Sequence, residues 1–255
     1  MAIQQRFAIT LMLLVLLVFS SCVHGAEMTT ILKNPPKEMA FGGLHWRTKS
    51  SLTPISPGPN YWSAKDEAVW VDEAGLHLSV QEMDGHWFST EIFTRERVGY
   101  GTYTFTVDTD VLSYDPNLVA GFFTWDTSPE EANREIDIEF AAWGQKDGTT
   151  FQYVVQPYSD PSRSLVFDPK LQGSVTTHRI VWLPDALSFF SYHGSVDPDE
   201  ASAESMLMQS WRFSGKPPTP GRARFRINLW MHQGAIPKQP AHMVITAFSF
   251  VPMKP

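Results

Sequence analysis

The sequence predicts an all-β chain folded as an antiparallel sandwich, with a jelly roll as its form. Three observations carry this. Apolar and polar residues alternate with a period of two in segment after segment, as side chains on a half-buried strand must. Clusters of Gly, Pro, Asp and Ser such as "DTSPEEAN" and "QPYSDPSRS" separate those segments and supply turn chemistry. No amphipathic helical window of convincing length interrupts the pattern. At 255 residues and 43% hydrophobic content the chain is long enough to bury one large core. Nine Trp, seventeen Phe and seven Tyr suit a bulky core or a cleft paved with rings.

The first 26 residues have the layout of a secretory signal peptide: Arg6, an apolar run from Phe7 to Phe19, then small residues. That run is about 13 residues, short of the roughly 20 that span a bilayer, and no second run like it occurs, so no membrane span is expected. Removing the segment takes out one Arg and no acid, which leaves the mature chain more negative than the formal −7. The sole Cys, Cys22, lies inside it. "FSSC" resembles a bacterial lipobox, which would make Cys22 the lipidated first residue of a surface lipoprotein, whereas "VHGA" offers an ordinary cleavage site near Gly25 or Ala26. Both endings imply export to the periplasm, the outer surface or the medium, and neither leaves a disulfide in the mature chain.

Residues 27–39, with "KNPPKE", are expected to form an extended tether or leading strand before a domain spanning 40–255. Strands are predicted at 76–82, 101–107, 118–125, 135–140, 151–157, 178–183, 187–192, 222–230 and 242–251. Residues 196–211, "VDPDEASAESMLMQSW", read as an inserted loop with room for a short helix. There is no internal repeat and no domain linker, and a monomer is expected.

Several function classes are excluded. The negative charge gives no electrostatic reason to bind nucleic acid or an anionic membrane, and neither a basic run nor a phosphate-cradling glycine loop is present. No Gly-x-Ser-x-Gly elbow exists, and the only thiol sits in the export segment, so serine and cysteine hydrolase chemistry is unsupported. No histidine pair has convincing metal-ligand spacing.

Residues 134–140, "REIDIEF", raise the functional question. Glu135, Asp137 and Glu139 share one strand face, with Ile136, Ile138 and Phe140 on the other and Arg134, the one nearby base, at the parity of the Ile residues and so pointing away. A solvated face would mix charge signs, and like charges on one face repel. A hard cation with oxygen ligands is one reason to gather them, although such sites usually draw on turns and backbone carbonyls. Glycoside hydrolysis is another, since it uses one carboxylate as nucleophile and a second as acid and base. Two Glu flanking a shorter Asp can lean together toward the roughly 5 to 5.5 Å of a retaining pair.

"EIDIEF" resembles the catalytic strand of glycoside hydrolase family 16, endo-acting β-glucanases and transglycosylases with a concanavalin A-like β-jelly roll. The likeness continues in order through "STEIFTRERVGYGTYTFTV", "AGFFTWD", "FQYVVQPY", "THRIVWLPDALSFFSYHG" and "RARFRINLWMHQG", so roughly residues 76–251 are covered. It implies Glu135 as nucleophile, Glu139 as general acid/base and Asp137 as their modulator, in a retaining enzyme that cuts internal β-glycosidic bonds of a polysaccharide by double displacement. A transglycosylase and a non-catalytic carbohydrate-binding protein remain alternatives on the same scaffold. Phe123, Trp125, Gln152, Gln156, Asn228, Trp230 and His232 are the expected cleft residues, by parity and position, with Glu91 a further polar candidate. Rings suit the C–H faces of sugars, and amides and carboxylates suit hydroxyls. No cofactor is implied, although the group sometimes holds a structural calcium. Two departures stand out. Arg134 occupies a position where relatives often carry an aromatic or Asp, and Phe93 stands where an arginine often follows the Glu91 position by two.

Overall fold

Residues 35–146 and 148–254 are described by the computed structural model. The predicted signal segment, Cys22 and most of the tether lie outside the described residues. The tether ends in ordered chain. Lys37 donates its backbone N–H to Thr48 Oγ1 at 2.8 Å, and strand β1 (Glu38–Phe41) follows at once.

Seventeen strands run through the described residues, and their pairings resolve into two layers. The first layer is ordered β1, β2 (Leu44–Thr48), β7 (His86–Thr94), β16 (Arg224–Met231), β9 (Leu118–Trp125), β10 (Ile136–Ala141), β11 (Thr150–Val155) and β12 (Ser164–Phe167). The second is ordered β5 (Val69–Asp72), β6 (Gly75–Met83), β17 (Ala241–Pro252), β8 (Gly101–Asp108), β13 (Val175–Trp182), β14 (Leu187–His193) and β15 (Leu207–Arg212). The β6–β7 hairpin joins the layers. Short β3 (Ser51–Ile55) and β4 (Asn60–Trp62) form a flap, and β4 adds to β7 as the one parallel pairing. Sequence neighbours sit in opposite layers repeatedly, as a jelly roll requires.

One expected loop is partly strand. Residues 196–211 contain a 3₁₀ turn, Ala201–Met206, and then β15, which closes the edge of the second layer against β14. Its alternation is muted because an edge strand half in water needs no strongly apolar face.

The inward faces of both layers make one core. Ile136, Ile138 and Phe140 of β10 are fully buried, as are Phe122, Phe225, Phe105, Tyr103 and Trp46. Phe105 of the second layer stacks on Phe122 of the first at 4.2 Å, Tyr103 on Phe225 at 5.2 Å, and Phe248 meets Trp46 edge-on at 5.0 Å. His178 lies in the same core with both ring nitrogens satisfied, 2.8 Å from Ser191 Oγ and 2.8 Å from Thr176 Oγ1. Burial drives its pKa down to about 3, so it stays neutral and structural.

Phe105→Ala should open a cavity between the layers and lower unfolding free energy by about 3–5 kcal/mol, read from denaturant melts. A loss below about 1 kcal/mol would show that the layers are not wedged at this ring.

Candidate active site

The two faces of β10 part the acids from the core. With Ile136, Ile138 and Phe140 inward, Asp137 and Glu139 must point outward, and Glu135, the residue just before the strand, continues their parity. Cross-strand register then fixes their neighbours. Glu139 lies opposite Gly121 on β9 and Gln152 on β11, Gly121 opposite Asn228 on β16, and Asn228 opposite Glu91 on β7. These five residues form one row across five strands. A second row runs Phe93, Arg226, Phe123, Asp137 and Val154.

Gly121 sits at the centre of the first row, where a Cβ would stand 2.6 Å from Asn228 Oδ1 and force that amide to move. The missing side chain makes room for Asn228 beside Glu139. Around it lies a cleft of about 350 Å³ lined by Glu135, Asp137, Glu139, Glu91, Phe123, Trp125, Asn228 and Trp230, with Lys49, Arg226, Ser56 and Pro57 closing one side.

Each acid has its own partners. Gln152 donates from Nε2 to Glu139 at 2.5 Å, and Gln156 donates to Asp137 Oδ2 at 3.3 Å. Asp137 also lies within hydrogen-bonding reach of Glu135, a contact that favours charge on Glu135 and a proton on Asp137. Burial, more than anything else, makes ionisation costly here. It pushes Glu139 up to about 7, with the Gln152 hydrogen bond opposing. It pushes Glu135 up to about 8, with the neighbouring Glu139 charge adding to the effect. Asp137 is held well above the usual carboxylate range, first by burial and then by the charges of Glu135 and Glu139. The three carboxyls therefore share fewer than three negative charges near neutrality and titrate as one unit.

Glu91 is 1% exposed and enclosed by two cations. Arg226 Nη1 reaches it at 2.6 Å and Lys49 Nζ at 3.2 Å. Lys49 also donates to the Ser56 carbonyl at 2.7 Å and lies 3.8 Å over the Trp62 ring. The guanidinium thus comes from β16 at the register position opposite Phe93, which accounts for the arginine absent from β7 itself. Asn228 is 2% exposed, and its Oδ1 has no protein partner.

Of the expected cleft residues, Phe123, Trp125, Asn228, Trp230 and Glu91 line the cavity, and Gln152 and Gln156 bond to its acids. His232 does not line it. Its strand parity ends with β16 at Met231, and a 3₁₀ turn with Gln233 left-handed (φ 53°) carries the ring beyond Trp230, against Trp143 at 5.2 Å. Arg134 also stays out of the cleft, but through a turn rather than strand parity. Glu131, Ala132, Asn133 and Arg134 are all left-handed, with φ from 50° to 61°. Arg134 there pairs with Asp126 at 3.3 Å and Glu130 at 2.9 Å.

Sequence reading missed Arg226, Gly121, Lys49 and the Ser56–Pro57 wall. Arg226 carried a usable signal, since it shares parity with Asn228 and Trp230. Lys49, Ser56 and Pro57 carried none, because their place depends on the flap folding over β7. Among the described residues no group of three or more His, Cys, Asp or Glu side chains is arranged to hold a metal ion, so no residue set is assigned to calcium. No helix among the described residues is long and apolar enough to cross a membrane.

No family model matches the sequence, and no curated protein does. Solved structures share the fold. A β-glucanase of Bacillus licheniformis is 18% identical, with a TM-score of 0.58 over 84% of this chain and 95% of that one. A β-1,3-1,4-glucanase (lichenase) derived from a mouse hindgut metagenome is 17% identical, with a TM-score of 0.57 over 86% and 98%. An immunostimulatory antigen and pseudo β-1,3-glucanase of Mycobacterium tuberculosis is 18% identical, with a TM-score of 0.56 over 79% and 88%.

The raised carboxyls carry a stability sign. In the unfolded chain the glutamates release their protons near 4.5, whereas in the fold they hold them to about 7 and 8. The native state binds more protons in that window, so stability should fall as pH rises from about 5 to 8. Thermal melts should give a lower Tm at pH 8 than at pH 5, with a smaller gap in Glu139→Gln. An equal gap in that variant would contradict the assignment.

Proposed function

We propose that the chain belongs to glycoside hydrolase family 16 and is an exported, endo-acting, retaining glycosidase that cleaves β-glycosidic bonds in a β-glucan-like polysaccharide. The observation that carries this reading is the gathering of three carboxyls, Asp137 buried and Glu135 and Glu139 half-buried, in one open cleft, with Gln152 donating to Glu139 and Gln156 to Asp137.

The likeness of "EIDIEF" to the family's catalytic strand supports the roles. Glu135 attacks the anomeric carbon, and the Asp137 hydrogen bond favours its ionised form against the burial that opposes it. Glu139, with its proton retained up to about 7, donates to the departing glycosidic oxygen. The bond from carbon to that oxygen breaks as the bond to Glu135 forms, with inversion. Glu139, now ionised, takes a proton from water, and the water oxygen displaces Glu135 with a second inversion, which gives net retention. Trp125, Phe123 and Trp230 offer rings to sugar faces, and Asn228 Oδ1, buried without a partner, is ready to accept a sugar hydroxyl.

Transglycosylation uses the same intermediate with a sugar hydroxyl in place of water. The mycobacterial neighbour bears the words pseudo β-1,3-glucanase, which is the observation that keeps a purely binding role as the second reading. All three acids are present here, and that favours the enzyme. Export rests on residues 1–26, with Cys22 as a candidate lipid anchor. No step needs a cofactor.

The test is product release on a panel of β-glucans and galactans. Wild type should yield oligosaccharides. Glu139→Gln should lose about 10²–10⁴-fold in kcat on unactivated glycans, and Glu135→Ala should lose all measurable turnover. Binding of a glycan without cleavage by wild type would move the assignment to a carbohydrate-binding protein. The activity profile should be a bell whose limbs belong to the coupled acids together, with the basic limb set by a carboxyl raised well above its ordinary value. A basic limb near 10 would remove Glu139 from the acid role.

A further inference from the structure

We infer that Arg226 is a positioning residue for this reaction: held in place by Glu91, it forms the positive side of the cleft against which Glu135 carries its negative charge. The inference rests on the glycosidase reading for its consequence in turnover, but its electrostatic content stands apart from turnover.

The geometry is a chain of alternating charge. Lys49 comes from the turn after β2, Glu91 from β7, Arg226 from β16 and Glu135 from the start of β10, and all four line one cleft. Lys49 Nζ is 3.2 Å from one Glu91 oxygen and Arg226 Nη1 is 2.6 Å from the other. Glu91 is therefore committed to the two cations, and its 1% exposure leaves it little surface for a sugar. Its part is to fix a guanidinium. Arg226 retains unused capacity, since its Nε is buried without a partner. Arg226 shares a cross-strand row with Phe123 and Asp137, two strands or roughly 10 Å from β10 by backbone spacing. Arg226 and Glu135 nevertheless line the same cleft, which leaves the guanidinium charge within Coulomb range of that carboxyl.

The charged groups facing Glu135 are Asp137 and Glu139 from its own strand, Arg226 from β16 and Glu91 from β7. Arg226 favours the ionised form of Glu135, and Glu91 opposes it. The pair is thus a dipole with its positive end supplied on purpose to the cleft, and the two ends should act on Glu135 with opposite sign. A packing role alone would not produce opposite signs.

The experiment follows the Glu135 carboxyl by ¹³C NMR titration in wild type, Arg226→Gln, Arg226→Lys and Glu91→Gln, alongside the acid limb of kcat/KM. In Arg226→Gln the Glu135 midpoint and the acid limb should both move up by roughly 0.5–1 pH unit. Arg226→Lys, which keeps charge and bulk, should return most of that shift, and Glu91→Gln should move the midpoint down. An unmoved midpoint in Arg226→Gln with a raised KM would overturn the inference and leave Arg226 a sugar contact. Should Arg226→Gln fail to fold, Arg226→Met, which keeps the apolar stem, takes its place, and an unmoved Glu135 midpoint there would overturn the inference equally. If the midpoints shift as expected while wild type cuts no glycan, the electrostatic role stands and the glycosidase reading falls.

Discussion

Everything at the cleft depends on one packing constraint, the anchoring of β10 by its inward residues. Ile136, Ile138 and Phe140 are fully buried, and Phe140 touches rings from both its neighbours, Phe122 at 5.5 Å and Phe151 at 4.1 Å. A slip of one residue would bury the acids and expose the Ile pair, so the core selects a single register. The core thereby dictates where the charges stand. It also supplies the low-dielectric backing that makes their ionisation costly.

Strand parity made much of this legible in advance. It placed the three acids together, and parity with position in the resembling segments named Phe123, Trp125, Gln152, Asn228 and Trp230 as their company, whereas the pairing of Gln152 with Glu139 emerges only from the register. It failed where a strand ended unannounced. His232 kept the right parity on paper, yet β16 stops at Met231 and the chain turns. Arg134 was assigned to the far face by the same rule, whereas four left-handed residues, not a strand, aim it at Asp126. The "DTSPEEAN" cluster marks a turn there, but without a Gly it does not mark four successive left-handed residues. The flap bearing Ser56 and Pro57 was illegible for a different reason: its position comes from a parallel contact with β7, and nothing in a short segment specifies a distant edge.

The left-handed turn stands immediately before Glu135. Non-glycine residues in that conformation are each strained, and four in succession need outside support. Asp126 provides much of it, accepting from the Arg222 backbone at 2.7 Å and pairing with Arg134, while Asn133 donates to the Asp126 carbonyl at 3.0 Å. Strain of this kind persists where the surroundings over-determine the backbone, and here it borders the acid row. The Lys49, Glu91 and Arg226 chain does for charge what this turn does for backbone: both hold the groups around Glu135 before any ligand arrives.

Gly121 separates two properties that active sites usually couple. Its bare backbone makes room for the Asn228 amide, and it bears no charge and donates no side-chain hydrogen bond. The seat of that amide can therefore be disturbed without altering a single titratable group, and the acids can be tuned without altering the seat. A lineage could lose the placement of Asn228 through one methyl group while every carboxyl, and every sequence motif built on them, stayed intact. Motif inspection alone would not tell such a descendant from its parent.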